Sequence, residues 1–392
     1  MKKLSTLFFI IISTFVYSQS WNYLNTSSIM YNQISIYAFN EDTIITIGDC
    51  GSIYKSIDSG NSWSVLYSGN SSHLKDIDFS DNDTGYCVGQ NGTIIKSIDN
   101  GSTWTIINSG VSINLNAIYI KSAEDIWAVG DSGLILNSTD YGNTWNSIFS
   151  NTYQDLNDIK FLNSDTGFIA CDSGILLTTI NTGILWNMQC LDSVYYVDLI
   201  KLELTNNYSY IIGGSIYSFF EIYPGNLFIS GNFINWNKYS YYFGKYSIDF
   251  INDSVGFACS SIIPVKLDVI EIFKTFDYGQ SWNKIYTDNS PPFYYTNQSD
   301  VFFISDSIGF VLSGSSILKT INGGELSYKN EISKSQEILI FVNPDNQSIN
   351  ILFDMSEYSK TEIRIIDILG HIKTTIPVTS ERTLIKTEGW AK

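Results

Sequence analysis

Short segments of alternating hydrophobic and polar residues run through most of the chain, separated by turn-forming residues. In residues 74–109 the segments LKDIDFS, TGYCVGQ, TIIKSID and TWTIINS follow one another, with turn residues at 81–83 and 91–92. Residues 115–149 repeat the same order, and no helical period of useful length interrupts it. Each unit therefore predicts four short strands joined by turns.

Each unit also carries an octapeptide of the pattern Ser/Thr-x-Asp-x-Gly-x-Ser/Thr-Trp. Intact copies end at Trp63, Trp104, Trp145 and Trp282, and weaker copies end at Trp186, near Trp236 and at Ser327. Successive copies are 41, 41, 41, 50, 46 and 45 residues apart. A repeat of this length with four strands predicts a β-propeller whose blades are the repeats.

Every residue type in the octapeptide suits a turn. The Asp accepts hydrogen bonds from backbone amides two residues on and from the neighbouring hydroxyl, the Gly takes a positive φ, and the Trp opens the next strand and buries its ring. We therefore predict a structural role, rather than catalysis or metal binding, for the residues of the intact copies: Asp58, Gly60, Trp63, Asp99, Gly101, Trp104, Asp140, Gly142, Trp145, Asp277, Gly279 and Trp282.

The octapeptide resembles the Asp-box, or bacterial neuraminidase repeat, and the whole unit resembles the repeats of the photosystem II stability/assembly factor. The resemblance covers about residues 21–328 and implies an all-β fold, a seven-bladed propeller of four-stranded blades in residues 19–328. It places the boxes at the rim, away from the binding face. The segment WNYL at Trp21 is expected to complete the last blade and close the ring. Six or eight blades stay open as alternatives, because the copy near Trp236 is degraded.

Residues 329–392 resemble the C-terminal sorting domain of type IX secretion, which is a small β-sandwich. The matching features are Asn343-Pro344, Ile349-x-Ile351-x-Phe353 and the run from Asp367 to His371. The resemblance implies an outer-membrane translocon as partner. Members of that family continue past a phrase like EGWAK with a further strand, whereas this chain stops at Lys392, so the sandwich is expected to lack its last strand.

The N-terminus has the pattern of a secretory signal peptide. Lys2 and Lys3 precede an apolar run over residues 4–16, and Val16 and Ser18 occupy the small-residue positions of a cleavage site. This run is too short to span a bilayer, and no later stretch is long enough. We therefore expect a signal peptide at residues 1–18, no transmembrane span, and a monomer that is secreted or attached to the cell surface.

Charge and cysteine content exclude several classes of function. The chain of 392 residues has a net charge of −17, which disfavours nucleic acid as a partner because phosphates require a basic surface. Its five cysteines lie at non-equivalent places in the repeats and lack the CxxC spacing of a zinc site. No metal and no cofactor are expected.

Few residues suit established catalytic mechanisms. The resemblance to the Asp-box suggests a sialidase, but those enzymes clamp a carboxylate with three arginines, and this chain has only Arg364 and Arg382, both after the propeller. The only histidines are His73 and His371. No nucleophile elbow, P-loop or HExxH motif is present.

Blades five to seven depart from the repeat length, with extra residues at 189–200, 214–227, 239–246 and 259–272, and a further aromatic patch, PPFYYT, lies at 291–296. Longer loops on one side of a ring commonly form its binding face. The candidate ligand-binding residues there are Tyr241, Tyr242, Phe243, Tyr294 and Tyr295. Alternating aromatic residues also suit a half-buried strand. The sequence favours a non-catalytic module for a glycan or protein ligand; the alternative is an extracellular glycoside hydrolase acting through a carboxylate pair.

Overall fold

The computed structural model describes residues 9–14, 21–67, 71–80, 83–192, 197–215, 225–241, 247–262, 269–288, 299–324, 339–342, 348–352, 361–366, 372–378 and 382–386. The chain forms two compact units. One is Ser20–Glu325, and the other combines Met1–Gln19 with Leu326–Lys392.

The larger unit is a seven-bladed β-propeller, and each blade is a four-stranded antiparallel sheet. Within blades 1 to 6 the strands follow chain order from the first, innermost strand to the fourth, outermost one, and in blade 7 the fourth strand comes from the start of the propeller. Blade 1 consists of Gln33–Ala38, Ile44–Gly48, Ser52–Ser56 and Ser64–Tyr67, and blade 2 of Leu74–Phe79, Gly85–Gly89, Ile94–Ser97 and Thr105–Ile107. Blade 3 consists of Leu115–Ile120, Ile126–Gly130, Leu134–Ser138 and Asn146–Phe149, and blade 4 of Leu156–Phe161, Gly167–Cys171, Ile175–Thr179 and Asn187–Cys190. Blade 5 consists of Val197–Leu204, Ser209–Ser215, Gly225–Ser230 and Asn237–Tyr241, and blade 6 of Ser247–Phe250, Gly256–Ile262, Val269–Thr275 and Asn283–Asp288. Blade 7 consists of Ser299–Phe303, Gly309–Ser313, Ser316–Thr320 and Asn22–Tyr23.

The N-terminal strand closes the ring. Asn22–Tyr23 pairs antiparallel with Ser316–Thr320, so the last blade takes its fourth strand from the start of the propeller. The Leu24 N–H continues the pairing by donating to the Ile317 carbonyl at 2.8 Å, and Trp21 is fully buried. The predicted seven blades and the predicted closing strand are both confirmed.

Apolar residues from neighbouring blades pack together and form the core. One such cluster joins Ile45 and Ile47 of blade 1 to Leu74, Phe79 and the box residue Trp104 of blade 2. The second strand of each of blades 1 to 4 is buried along its whole length, which its continuous apolar sequence favours. Four single turns of 3-10 helix follow these strands, at Asp49–Gly51, Gln90–Gly92, Asp131–Gly133 and Asp172–Gly174.

The turns define two faces. The boxes, between third and fourth strands, lie beside the turns between first and second strands, and the Ser59 N–H donates to the Asp42 carbonyl across them at 3.0 Å. We call this the lower face. The upper face carries the turns between second and third strands and the connections between blades. The strand ends joined by the longer connections of blades 5 to 7 lie on this upper face.

The second unit contains two three-stranded sheets. In the first sheet, Thr361–Ile366 lies between Phe9–Thr14 and Ile372–Val378. In the second, Ser348–Leu352 lies between Leu339–Val342 and Arg382–Lys386. Strand Phe9–Thr14 lies within the predicted signal peptide. The predicted β-sandwich stays a prediction, as do the predicted domain boundaries.

The five cysteines are free. Cys87, Cys171 and Cys259 are buried in second strands of blades, and Cys50 and Cys190 are exposed. The helices of the described residues are single turns, and none has the length and apolar character needed to cross a membrane.

Candidate binding channel

The first strands of the seven blades surround a central channel, and their strand pairing shows which residues are equivalent. Each first strand contributes two positions, two residues apart, whose side chains point to the same side of the strand. The upper ring consists of Ser35, Asp76, Ala117, Asp158, Lys201, Ser247 and Asp300. The lower ring consists of Tyr37, Asp78, Tyr119, Lys160, Glu203, Asp249 and Phe302.

Most ring positions line one cavity. It contains about 710 Å³ of space, open solvent included, and its lining carries six carboxylates and two lysines. The carboxylates are Asp76, Asp78, Asp158, Glu203, Asp249 and Asp300. Each ring has three carboxylates and one lysine, so negative charge predominates at both levels.

Five of these carboxylates bond to the backbone of the next blade. Asp76 accepts from the Ile118 N–H and Asp78 from the Ile120 N–H, both at 2.8 Å. In the same way Asp158 accepts from the Leu202 N–H at 2.8 Å, Asp300 from the Ile36 N–H at 3.2 Å and Asp249 from the Phe303 N–H. Such a bond satisfies a strand N–H that faces the channel, so these aspartates hold neighbouring first strands together.

Among these five aspartates, Asp300 accepts the largest number of hydrogen bonds. One carboxylate oxygen accepts from the Ser35 hydroxyl at 3.0 Å and from the Ile36 N–H, both of blade 1. The other accepts from the Ser247 hydroxyl of blade 6 at 2.8 Å and from the Val301 N–H at 3.1 Å. Asp300 therefore joins three blades at the place where the ring closes.

Glu203 is the exception among the channel carboxylates. Its hydrogen bond comes from the Lys160 ammonium, at 3.3 Å, and no backbone N–H among the described residues bonds to it. Burial alone would lower the pKa of Lys160, but the charges of Glu203 and Asp158 outweigh burial and raise it. Lys160 therefore stays charged.

Burial dominates the pKa values of several channel carboxyl groups. It raises the pKa of Asp76 to about 7, that of Asp249 to about 7 and that of Asp78 to about 6. It also raises the pKa of Glu203. For Asp76, Asp78 and Asp249 the backbone hydrogen bonds favour the charged form but are outweighed by burial, so these three groups exchange protons near neutral pH.

Most described lysines of the propeller have a hydrogen-bond or ion-pair partner for the ammonium group. On third strands, Lys55, Lys96, Lys274 and Lys319 donate to carbonyls of Asn100, Tyr141, Gly323 and Glu41 in the next blade. Other lysines bond to side chains: Lys75 to Asn116, Lys121 to Asp125, Lys238 to Asp192 and Lys284 to Glu271. Lys201 differs, because its ammonium has neither a hydrogen bond nor an ion pair within the described part of the chain.

At the upper mouth of the channel, further carboxylates surround blades 3 to 5. Asp155 accepts from the Ser132 N–H at 2.8 Å and Asp198 from the Ser173 N–H at 3.2 Å, each joining two blades. Burial raises the pKa of Asp172, and the charges of Asp198, Asp155 and Asp131 add to the effect. The upper mouth is therefore acidic, like the channel below it.

The Asp-boxes form closed turns at the lower rim. In the copy at Asp99, one carboxylate oxygen accepts from the Ser97 hydroxyl at 2.8 Å and from the N–H groups of Ser102 and Thr103. The Thr103 hydroxyl bonds to the other oxygen at 2.7 Å. The expected amide bond was placed two residues on; the structure shows it three and four residues on, because residues 100 and 101 both adopt positive φ and carry the chain around the carboxylate.

The box glycines need their small size as well as their backbone conformation. Gly101 has a φ of 74°, and a Cβ there would lie 2.3 Å from the Ile45 side chain of the preceding blade. A Cβ at Gly142 would likewise lie 2.7 Å from the ring of Tyr86. The indole N–H of Trp104 donates to the Gly101 carbonyl at 3.1 Å, as does that of Trp282 to Gly279 at 3.0 Å. The indole N–H groups of Trp63 and Trp145 find no acceptor in the described residues.

Three blades keep the turn without the carboxylate. Asn181 accepts from the Thr179 hydroxyl at 2.9 Å and from the Leu185 N–H at 3.0 Å, in the manner of the box aspartates. Asn232 and Asn322 occupy the same place in blades 5 and 7. A neutral amide therefore suffices for the turn, which supports the structural role predicted for Asp58, Asp99, Asp140 and Asp277.

The predicted ligand-binding aromatic residues are only partly described. Tyr242, Phe243, Tyr294 and Tyr295 lie outside the described residues. Tyr241 ends the outermost strand of blade 5, and its hydroxyl lies 2.8 Å from the Gly279 carbonyl and 3.0 Å from that of Gln280 in the next blade. Its position is at the outer edge, away from the channel, and its role in binding stays a prediction.

Sequence reasoning missed the two channel rings. The signal was present, because LKDIDF and LNDIKF place charged residues at the third and fifth positions of equivalent first strands. In a propeller the first strand is the innermost one, so its alternate polar residues face the channel. Without knowledge of the ring, this alternation indicates only a strand.

The comparisons with known proteins agree with this architecture. Residues 61–152 match the family model of the photosynthesis system II assembly factor YCF48. No curated protein matches the chain. Among solved structures, YCF48 bound to D1 peptide is 15% identical, with a TM-score of 0.59 over 79% of this chain and 97% of that one. YCF48 from Cyanidioschyzon merolae is 14% identical, with a TM-score of 0.57 over 76% and 98%. The Niastella koreensis GH74 enzyme is 12% identical, with a TM-score of 0.60 over 94% and 68%. At these identities the likeness establishes the fold.

Proposed function

We propose that this propeller is a non-catalytic binding module that recognises a protein segment at its upper face. The observation that carries the proposal is the use of the channel carboxylates. Five of the six bond to backbone N–H groups of the next blade, so they build a preformed acidic surface and are not free to act as a carboxylate pair.

Two further observations support a protein ligand. The similar structure of YCF48 was solved with a D1 peptide, which shows that a propeller of this kind can hold a peptide. The longer connections of blades 5 to 7 join strand ends of the upper face, where added loop residues extend a recognition surface. The boxes occupy the lower face, which leaves the upper face for the ligand.

The test measures retention of the full chain on panels of immobilised proteins, deglycosylated proteins and polysaccharides, with released sugar assayed in the same wells. We expect retention on proteins that survives deglycosylation, without sugar release. Retention that requires the glycan would show a carbohydrate-binding module instead. Released sugar would overturn the proposal in favour of an enzyme.

A glycoside hydrolase is the second candidate. Glu203 lacks a backbone partner in the described residues, burial raises its pKa, and Asp249 of the next blade lies in the same ring with a pKa of about 7. A raised pKa suits a general acid, and the fold is similar to that of a GH74 enzyme. Under this hypothesis Glu203→Gln abolishes sugar release while retention on polysaccharide persists. Unchanged release in that variant would exclude Glu203 as the acid.

Export by type IX secretion is a separate proposal, supported by the sequence of both chain ends. The apolar run after Lys2 and Lys3 has the pattern of a signal peptide, and residues 329–392 resemble a sorting domain that addresses the outer-membrane translocon. Expression in a host with and without a type IX system tests it. We expect the chain outside the cell, beginning at Gln19, only in the host that has the system; export in both hosts would contradict it.

A further inference from the structure

We propose that the upper ring of the channel binds the side chain of a lysine or arginine presented by an extended segment of a partner protein, while Lys201 donates to a backbone carbonyl of the same segment. The inference rests on the proposed function, because it names the chemistry of the protein ligand.

The first argument is the balance of charge. The cavity holds six carboxylates and two ammonium groups, and the backbone N–H groups that bond to the aspartates do not neutralise them. A cation inside this cavity would meet Asp76, Asp158 and Asp300 in the upper ring. Since the surroundings are partly desolvated, its attraction to them is screened less than at the surface. The same charges would repel an anionic ligand.

The second argument is independent of the carboxylates and comes from Lys201. Burial alone would lower the pKa of Lys201, but the charges of Asp300, Asp158 and Asp76 outweigh burial, so the ammonium stays charged. Its side chain lines the cavity, yet it reaches no acceptor among the described residues, unlike the other described lysines of the propeller. Its three donors therefore face the cavity and can bond to an acceptor on a ligand.

The chemistry of that acceptor is restricted. A carboxylate or phosphate bonded to Lys201 would be placed among the upper-ring aspartates and repelled by them. A neutral carbonyl has no such penalty. A peptide with a basic residue is a ligand class that offers both groups together, a cationic head for the aspartates and a nearby carbonyl for Lys201.

Access is from the upper face. The upper ring lies close to the start of the first strands, just below the acidic mouth formed by Asp155, Asp172 and Asp198. This mouth would attract a basic segment before it enters.

The experiment titrates the full chain with capped pentapeptides that differ only in the central residue, which is Lys, Arg, norleucine or Glu between glycines. Binding is followed calorimetrically at neutral pH and low salt, in two buffers of different ionisation enthalpy. A further arm uses n-butylammonium, which has the cation but no carbonyl. We expect the Lys and Arg peptides to bind at least about tenfold more tightly than the norleucine peptide and than n-butylammonium.

Three variants identify the site. Asp76→Asn keeps an oxygen for the Ile118 N–H but removes a channel charge, and we expect it to weaken the Lys peptide by about tenfold. Asp99→Asn is the matched control, because it removes one negative charge from the rim at the lower face, and it should leave the affinity for the Lys peptide unchanged. Lys201→Met removes the donor, so the peptide loses its advantage over n-butylammonium. Binding to the original chain releases protons, because a cation lowers the pKa of Asp76.

Each other outcome overturns the inference. If the norleucine peptide binds as tightly as the Lys peptide, the channel is not a cation site. If Asp99→Asn weakens the Lys peptide as much as Asp76→Asn does, the loss of affinity comes from the net charge of the protein and not from the channel. Binding of n-butylammonium as tight as the peptide indicates a small-amine site. If immobilised proteins retain the chain but the Lys peptide neither binds nor competes, this inference fails and the proposed function stands. If no protein retains the chain, the proposed function fails, whatever the peptides show.

Discussion

Acidic or amide side chains recur around the propeller in two places, the boxes of the lower rim and the rings of the central channel, and the two sets are held in opposite ways. Asp99 at the rim is half-buried, and bonds from Thr103, Ser97 and Ser102 lower its pKa to about 2. Asp76 in the channel accepts one strand N–H, and burial raises its pKa to about 7. The same residue type therefore closes a turn within one blade at the rim and joins neighbouring blades in the channel.

The difference shows which set can take part in binding. Both oxygens of a rim carboxylate accept hydrogen bonds from its own turn. Asn181 accepts the equivalent bonds as a neutral amide, so the turn does not need the negative charge. A channel carboxylate lies on the wall of the cavity, where a bound cation would favour its charged form. Function is therefore expected in the channel, although the boxes are the more conspicuous feature of the sequence.

The largest expected effect is on the pH dependence of stability. The folded-state pKa values of Asp76 and Asp249 lie above the ordinary value for aspartate, so between about pH 4 and pH 7 the folded state holds protons that the unfolded state lacks. The free energy of unfolding should therefore rise as the pH falls from 7 towards 4, with a slope of about 1.4 kcal/mol per pH unit for one group. Below about pH 4 the rim reverses the trend, because Asp99 must then be protonated.

Urea denaturation at a series of pH values measures this curve. Asp76→Asn should flatten its slope between about pH 4 and pH 7, whereas Asp99→Asn should leave that part unchanged and reduce the loss at lower pH. A stability that falls steadily from pH 7 to pH 5 would show that burial does not raise the pKa values of the channel carboxyl groups.

Asp300→Ala is the substitution with the largest expected cost. It removes the acceptor for the Ser35 and Ser247 hydroxyls and for the N–H groups of Ile36 and Val301, at the closure of the ring. Buried donors left without an acceptor make a loss of about 3 kcal/mol or more reasonable. Urea denaturation measures it, with Asp300→Asn as the control that retains one acceptor oxygen. A loss no larger than that of a rim aspartate would contradict the distinction between the two sets.

Asp99→Ala should cost less, about 1 to 2 kcal/mol, because its partners at the surface can turn to water. Asp99→Asn should cost less still, since the box of blade 4 uses Asn181 in the same place. Ligand recognition should be unchanged in both variants. A selective loss of binding at unchanged stability would give the box a functional role that its geometry does not suggest.

The sequence was sufficient to predict the fold because each repeat contains its own turn chemistry. The box around Asp99 and the closing strand at Trp21 are local patterns. The structure confirms the closing strand, and the Asp99 carboxylate accepts N–H groups of its own turn. The alternation of the first strands indicates which residues face the channel, but the sequence does not show how they group. Asp76 and Asp300 are more than two hundred residues apart in the chain and line the same cavity only when the ring closes. The pKa shifts depend on burial, which no spacing in the sequence specifies.

The smallest expected effect concerns the equivalence of the boxes themselves. Trp63 and Trp104 are buried to the same extent, yet only the indole N–H of Trp104 has an acceptor in the described residues, the Gly101 carbonyl at 3.1 Å. Replacement by Phe removes a hydrogen bond from Trp104 but an unsatisfied donor from Trp63. Trp104→Phe should therefore cost about 1 kcal/mol more than Trp63→Phe in urea denaturation. Equal costs would mean that the Trp63 indole has an acceptor in solution, such as a water molecule, and that the rim turns are energetically alike.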